Sequence, residues 1–443
     1  MKRIIILSTV VSSFIFATST VEDLTLNQIS ETTDDTTITN NAYISQGKTD
    51  IENGSNVKSV TITQEDSGDA GNLIKNSSVA GNNSEVHQGY TSINNGTLNY
   101  AEITSQNELS GVTITGDKSV IRQGNLIIGG ASTVAGSSGS GGPGFPGGGV
   151  ANNIVINQQN YLKESSISDS NISQGVTEVN GGANVSLNFN LNQINDISVD
   201  NTITSSNIRQ GVTTISGGSV SDIENSVKNK IETSNISGLN INQSTISIKD
   251  STVKNINNNN DIDNIDEKNR ITQAEGENSN INQSTIDIEN SLVDGIHRQE
   301  RPNISSPEGQ NNWIYDLTLN GSDINQSAFI SKNGSTASNI TYTLNSAINS
   351  AAVNNLYSST VNNSTINQDV TELNNASITG ENNIDRLNIV NSVTAEEGSH
   401  ISQSGLIVTD SQASNLNLSG YNIIYNNSLN SANLSQGETI ITN

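Results

Sequence analysis

At 443 residues the chain is long enough for several domains, yet 32% of it is hydrophobic and 3% aromatic, which excludes one large globular core. Its 44 acidic residues against 19 basic ones give a formal charge of -25, which excludes nucleic acid and anionic lipid as partners. The chain has no cysteine, so backbone ladders and packing must supply the stability that disulfides give other exported proteins.

From the N-terminus, Lys2 and Arg3 precede an apolar stretch over residues 4–17, and Ala17, Thr18 and Ser19 supply small residues for cleavage near Ser19. That three-part order predicts a signal peptide over 1–19 and places the mature chain outside the cell or on its surface. The apolar stretch is shorter than the roughly 20 residues that a helix needs to cross a bilayer. No later run is longer, so no membrane-spanning segment is expected. Loss of Lys2 and Arg3 takes the formal charge from -25 to -27.

Beyond the leader one pattern keeps returning: an aliphatic, any residue, Gln, then usually Gly or Ser. Its glutamines are Gln46, Gln88, Gln123, Gln174, Gln210, Gln243, Gln283, Gln326, Gln368, Gln403 and Gln436. Two positions before them stand Ile44, Val86, Ile121, Ile172, Ile208, Ile241, Ile281, Ile324, Ile366, Ile401 and Leu434. Five positions after them stand aliphatics from Ile51 to Ile441, with Ser331, beside Phe329 and Ile330, the one departure. In an extended segment residues two apart share a face, so Ile208 and Gln210 point the same way. Gly211 then breaks the parity, and Thr213 and Ile215 open a second face. Val220 and Ile223 supply a third apolar side, as do Val57 and Val60, Val253 and Ile256, and Val293 and Ile296.

This pattern predicts an all-β, β-helix-like solenoid of two or three faces, with each coil bonded in parallel to the coils above and below it. Gln28, Gln46 and Gln64 stand 18 residues apart, which sets the expected coil at about 16–20 residues, with the strongest motif on alternate coils. The bias to Thr, Ile, Val, Ser, Asn and Gly, without a 3.6-residue apolar stripe, argues against helix.

Taken in order, the expected organisation is a signal peptide at 1–19, a first solenoid over 20–135, a Gly-rich loop or linker at 136–149, and a second solenoid over 150–443. The Gly-rich segment cannot hold a ladder, and its glycines lack the strict three-residue period of collagen. Two insertions are expected in the second solenoid: a polar, acidic one near 257–270, and one near 298–312 that holds Pro302 and Pro307 and abuts Trp313.

A Gln pointing inward must find partners for both ends of its amide. Stacking Gln on Gln in successive coils supplies them, so the glutamines are read as a structural ladder and the aliphatics before them as core. Asn240, Asn242 and Asn282 fit similar ladders or turn caps. His87, His297 and His400 are far apart in sequence and read as surface imidazoles. Asp261, Asp263 and Asp266 have a calcium-like spacing but lack the Gly and terminal Glu of an EF-hand loop. No metal and no cofactor is therefore expected. β-Helices can carry polysaccharide chemistry on converging carboxylates, whereas here the acidic residues scatter over corners, and the chain is not expected to be an enzyme.

The motifs Asn171, Ile172, Ser173, Gln174, Gly175 and Asn207, Ile208, Arg209, Gln210, Gly211 resemble the repeats of curlin, the secreted subunit of bacterial adhesive amyloid fibres. The resemblance implies a subunit of an extracellular fibre or biofilm matrix, assembling with itself or with another fibre subunit and served by secretion and nucleation partners. Where curlin repeats carry a second Gln in the returning strand, this chain has residues such as Ile248 and Ile288. The last repeat, 432–443, ends on strand-like sequence without a polar cap, and open ladder edges pair with other molecules. The alternative function is a cell-surface adhesin or stalk that presents loops 136–149 and 298–312 to a ligand.

Overall fold

In the computed structural model the chain winds through four faces per turn. The structure describes residues 13–442 apart from 136–153, 260–266, 301–309, 345–353 and a number of stretches of one to four residues. One coil shows the path. The glutamine face is Asn207–Gln210, the next face Thr213–Ser216, the long face Ser219–Glu232 and the short face Asn235–Ser237, after which Asn240–Gln243 returns to the glutamine face. Among the described residues the glutamine and short faces each stack eleven strands, and the face after the glutamine stacks twelve. Among the described residues the strand pairings are parallel, apart from a two-residue antiparallel contact of Asp69 and Ala70 with Asp66 and Glu65. No helix occurs among the described residues.

The coil is longer than the 16–20 residues read from the sequence. Successive stacked glutamines are 33 to 51 residues apart, because the shorter unit is half a turn. Gln174 lies on the glutamine face, and Gln193 lies on the long face of the same coil, in register with Gln158. The faces number four and not two or three, since the short face, including Ile167, Ile203 and Ile236, forms a sheet of its own.

Two apolar columns run along the rod. One takes its side chains from the face after the glutamine and the first part of the long face, as in Ile215, Ile248, Val220 and Val253. The other takes them from the glutamine face, the short face and the end of the long face, as in Ile208, Ile203 and Ile231. Each coil buries only a few aliphatics, each contributing about 1.5–3 kcal/mol. Cross-section by cross-section, that is how a chain with 32% hydrophobic residues still folds. At Ser331 the aliphatic gives way to a small residue, and Phe329, two residues earlier, is fully buried in the same apolar column.

The expected insertions are narrower than their sequence bounds. Strand Thr252–Asn259 runs into the first and Glu267–Thr272 leaves it, while Leu292–Glu300 and Gln310–Tyr315 flank the second. The Gly-rich segment 136–149, Asp261, Asp263, Asp266 and most of the leader lie outside the described residues.

Candidate functional site

The interior between the two apolar columns is polar, and it is built from side-chain amides. Gln210 Nε2 donates to Gln174 Oε1 at 2.8 Å, and Gln243 Nε2 donates to Gln210 Oε1 at 2.8 Å. The same bond, at 2.8–2.9 Å, joins every neighbouring pair from Gln46 to Gln436. From Gln88 to Gln403 these side chains are fully buried. Unpaired, each would cost a few kcal/mol; stacked, each amide lends its oxygen to one neighbour and its N–H to the other.

A second amide column lies beside the first. Asn72, Asn107, Asn160, Asn195, Asn229, Asn269, Asn312, Asn354, Asn388 and Asn422 are joined by nine Nδ2-to-Oδ1 bonds of 2.7–2.9 Å. The two columns run in opposite senses. Each Gln donates toward the N-terminal coil, whereas each of these Asn donates toward the C-terminal coil, so the two rows of amide dipoles oppose and partly cancel. Asn207, Asn240 and Asn280 form a third, exposed row on the outer side of the glutamine face, and Asn242, Asn282 and Asn325 a half-buried one.

Corners are fixed by the residue after each glutamine. It has a positive φ of 50–65° in all eleven coils, at six glycines, four serines and Asp369. At Gly47, Gly89, Gly124 and Gly175 a side chain would collide with the Gln, Asn or Ser that stands opposite. A Cβ on Gly124 would lie 2.7 Å from Asn160 Oδ1, and one on Gly175 2.8 Å from Gln193 Oε1. In the coils that carry insertions before Asn269, Asn312 and Asn354 the corner residues are Ser244, Ser284 and Ser327. Their hydroxyls donate to those asparagines at 2.9–3.0 Å. Serine thus takes over polar contacts that the long face supplies elsewhere.

The core aliphatics Val86, Ile121, Ile172, Ile208, Ile241, Ile281, Ile324, Ile366 and Ile401 are buried, and Ile44 is half-buried. Leu434 and Gln436, expected inside, stand exposed on the outermost described coil; Leu434 is 40% exposed. Leu429, Ile440 and Ile441 are exposed with it, Ile441 to 69%. Beside Ile441 is an open cleft of about 920 Å³ with a mixed lining, apolar at Leu406, Val408 and Leu416 and polar at Glu381, Asn383 and Asn415.

His87 is not a surface imidazole. It is 5% exposed, on the outer side of the glutamine face, between the rings of Tyr43 and Tyr90 at 5.1 and 4.9 Å. Its Nε2 lies 2.7 Å from Arg122 Nη1 and 3.1 Å from Glu85 Oε2, and its Nδ1 lies 3.3 Å from Tyr43 Oη. Burial, then the positive charges of Arg122 and Lys48, push its pKa down to about 3. Glu85 pairs with Arg122 at 3.5 Å, and Lys48 with Asp50 at 2.9 Å. The cluster ties the first three glutamine-bearing coils together by side chains. Among the described residues no three His, Asp or Glu side chains are placed to hold a metal ion, and His297 and His400 are remote from His87 in the stack.

No family model matches the chain, curlin included, and no characterised protein matches it in sequence. Among solved structures, the surface protein and adhesin PfbA of Streptococcus pneumoniae is similar over 90% of this chain and 91% of that chain, at 10% identity and a TM-score of 0.20. Function is therefore read from the geometry of the coils themselves.

Proposed function

We propose that the chain is an exported structural rod, a cell-surface adhesin or stalk whose stacked coils hold binding segments away from the surface. The supporting observation is where the insertions leave. Segments 260–266, 301–309 and 345–353 each interrupt the long face between the same two stacked positions, in three consecutive coils. In the coil that precedes them the same gap, between Asn225 and Asn229, is bridged by unbroken strand. The strands that flank the three insertions therefore keep their ladders, and the chain leaves and rejoins them at the same stacked positions. Such placement suits presentation to a partner, because loops on a rigid scaffold carry recognition at little cost to folding.

The test replaces all three insertions by the short connection of residues 226–228. Beads coated with either protein are then passed over an immobilised glycan array and over matrix-protein surfaces. Retention lost with an unchanged β-sheet circular dichroism spectrum supports presentation by these segments. Equal retention overturns it.

A second reading, a fibre or matrix subunit, is favoured by one specific observation: the in-register parallel stack with its continuous glutamine and asparagine columns, the arrangement on which cross-β fibres are built. Self-association, a further fibre subunit and dedicated secretion partners belong to this reading.

A further inference from the structure

The outer side of the glutamine face carries amides that the fold does not use up. Asn171, Asn207, Asn240 and Asn280 stand exposed in one column over four consecutive coils, in register with one another. The last three each donate through Nδ2 to the Oδ1 of the one before at 2.8–2.9 Å. Two residues further along the same strands Asn242 and Asn282 repeat the contact at 3.0 Å, half-buried. A stacked asparagine spends one N–H and one lone pair on its column and keeps a second of each for a partner outside it. Among the described residues on the outer side of this face in these coils, the only charge is Arg209, paired with Glu178 at 2.7 Å. The next face around the rod, by contrast, turns Glu178, Lys249, Asp287 and Glu289 outward.

We infer that this amide face is a joint on which a second copy of the chain lies alongside the first and antiparallel to it, with Asn207 opposite Asn240 of the second copy and Asn171 opposite its Asn280. This rests on the fibre or matrix reading, to which it adds a partner and a surface, and it uses neither end of the rod. Two physical arguments select a second copy. Its rungs repeat at the same spacing of about 4.8 Å, so matching one row of amides matches all four. The chain also carries a formal charge of -25, so two rods repel on most approaches and least where the surface is uncharged. The antiparallel sense follows from the columns. A parallel copy would set the exposed asparagines against the half-buried row, whereas a two-fold axis running along the strands sets exposed column against exposed column. With that axis between Asn207 and Asn240, Arg122 faces Asn325, Glu85 faces Thr365 and Asp323 faces Val120. At these positions no acidic side chain meets another.

The test compares the chain with two double variants by sedimentation velocity and negative-stain microscopy. Asn171 and Asn280 of one chain are three rungs apart, about 14 Å, too far to pair with each other. The parent chain is expected to form pairs of rods lying side by side. Asn171→Asp with Asn280→Asp sets acid opposite acid twice across the joint and is expected to weaken pairing about tenfold. Asn171→Lys with Asn280→Asp sets opposite charges at the same two places and is expected to pair at least as tightly as the parent. Both variants are expected to keep the β-sheet spectrum, because the two side chains are exposed. Pairing that ignores both variants would overturn the surface, and equal weakening by both would overturn the antiparallel register. End-on filaments one rod wide would overturn the joint and leave the fibre reading standing. Single rods would overturn both, and single rods that bind added cellohexaose through Asn207 and Asn240 would assign the face to a glycan instead.

Discussion

Gln210 has three buried partners for its amide N–H: Gln174 Oε1 and the carbonyl oxygens of Asn195 and Lys230. Gln210→Leu keeps the volume but strands the Gln174 oxygen on one side and the Gln243 N–H on the other. With two buried polar groups unpaired, the expected loss is about 2–4 kcal/mol in a denaturant titration. Ile208→Asp, which puts a carboxylate into the apolar column, is expected to cost more than about 4 kcal/mol. The reverse order would mean that the amide column holds the rod more than the aliphatics do. His87 gives a pH dependence with a defined sign. Its folded pKa of about 3 lies below the ordinary value of 6.5, so the unfolded chain binds the proton first. The stability it secures is full above about pH 6.5 and declines as pH falls toward 3. Between pH 7.5 and pH 4.5 the melting temperature of His87→Gln is expected to fall less than that of the parent chain; an equal fall would mean that His87 titrates as an exposed group.

At the scale of a strand and its corner, Gly175 and Ser244 do the same job with different neighbours. Gly175→Ser is expected to destabilise by about 2–4 kcal/mol, because positive φ disfavours a side chain and the new Cβ meets Gln193 and Asn195. Adding Gln193→Val, the residue that stands in register one coil later, is expected to restore at least half of that loss. No restoration would mean that backbone strain alone selects glycine there. The glutamine face was legible in the sequence because one rigid motif, aliphatic, any residue, Gln, fixes strand, inward side and corner together. The buried asparagine column was written as plainly: each of its ten members stands two residues before an aliphatic, from Asn72 and Ile74 to Asn422 and Ile424. It escapes notice because exposed asparagines are abundant and periodicity alone does not say which are inside. The mirror relation of the two motifs also explains the short coil read from spacing. Gln and Asn meet at the centre from opposite faces, so the pattern repeats every half turn. His87 was not legible, since its burial depends on Tyr43, Tyr90 and Arg122, which come together only when three coils stack.

For the whole molecule, eleven glutamine-bearing coils at about 4.8 Å each give a rod on the order of 50 Å long. Its stability is a sum over neighbouring coils and not the property of one core, so damage stays local unless it breaks a ladder. The stacking also fixes distances between residues far apart in sequence. Asn94 and Asn374 are exposed, occupy the same position on the face after the glutamine, and are separated by seven rungs. The chain has no cysteine, so Asn94→Cys and Asn374→Cys place two spin labels without background. Pulsed electron–electron resonance is expected to give one narrow distance centred near about 34 Å. A distance near twice that value, as coils of half the length would produce, or a broad distribution, would contradict the stacking of one glutamine per turn.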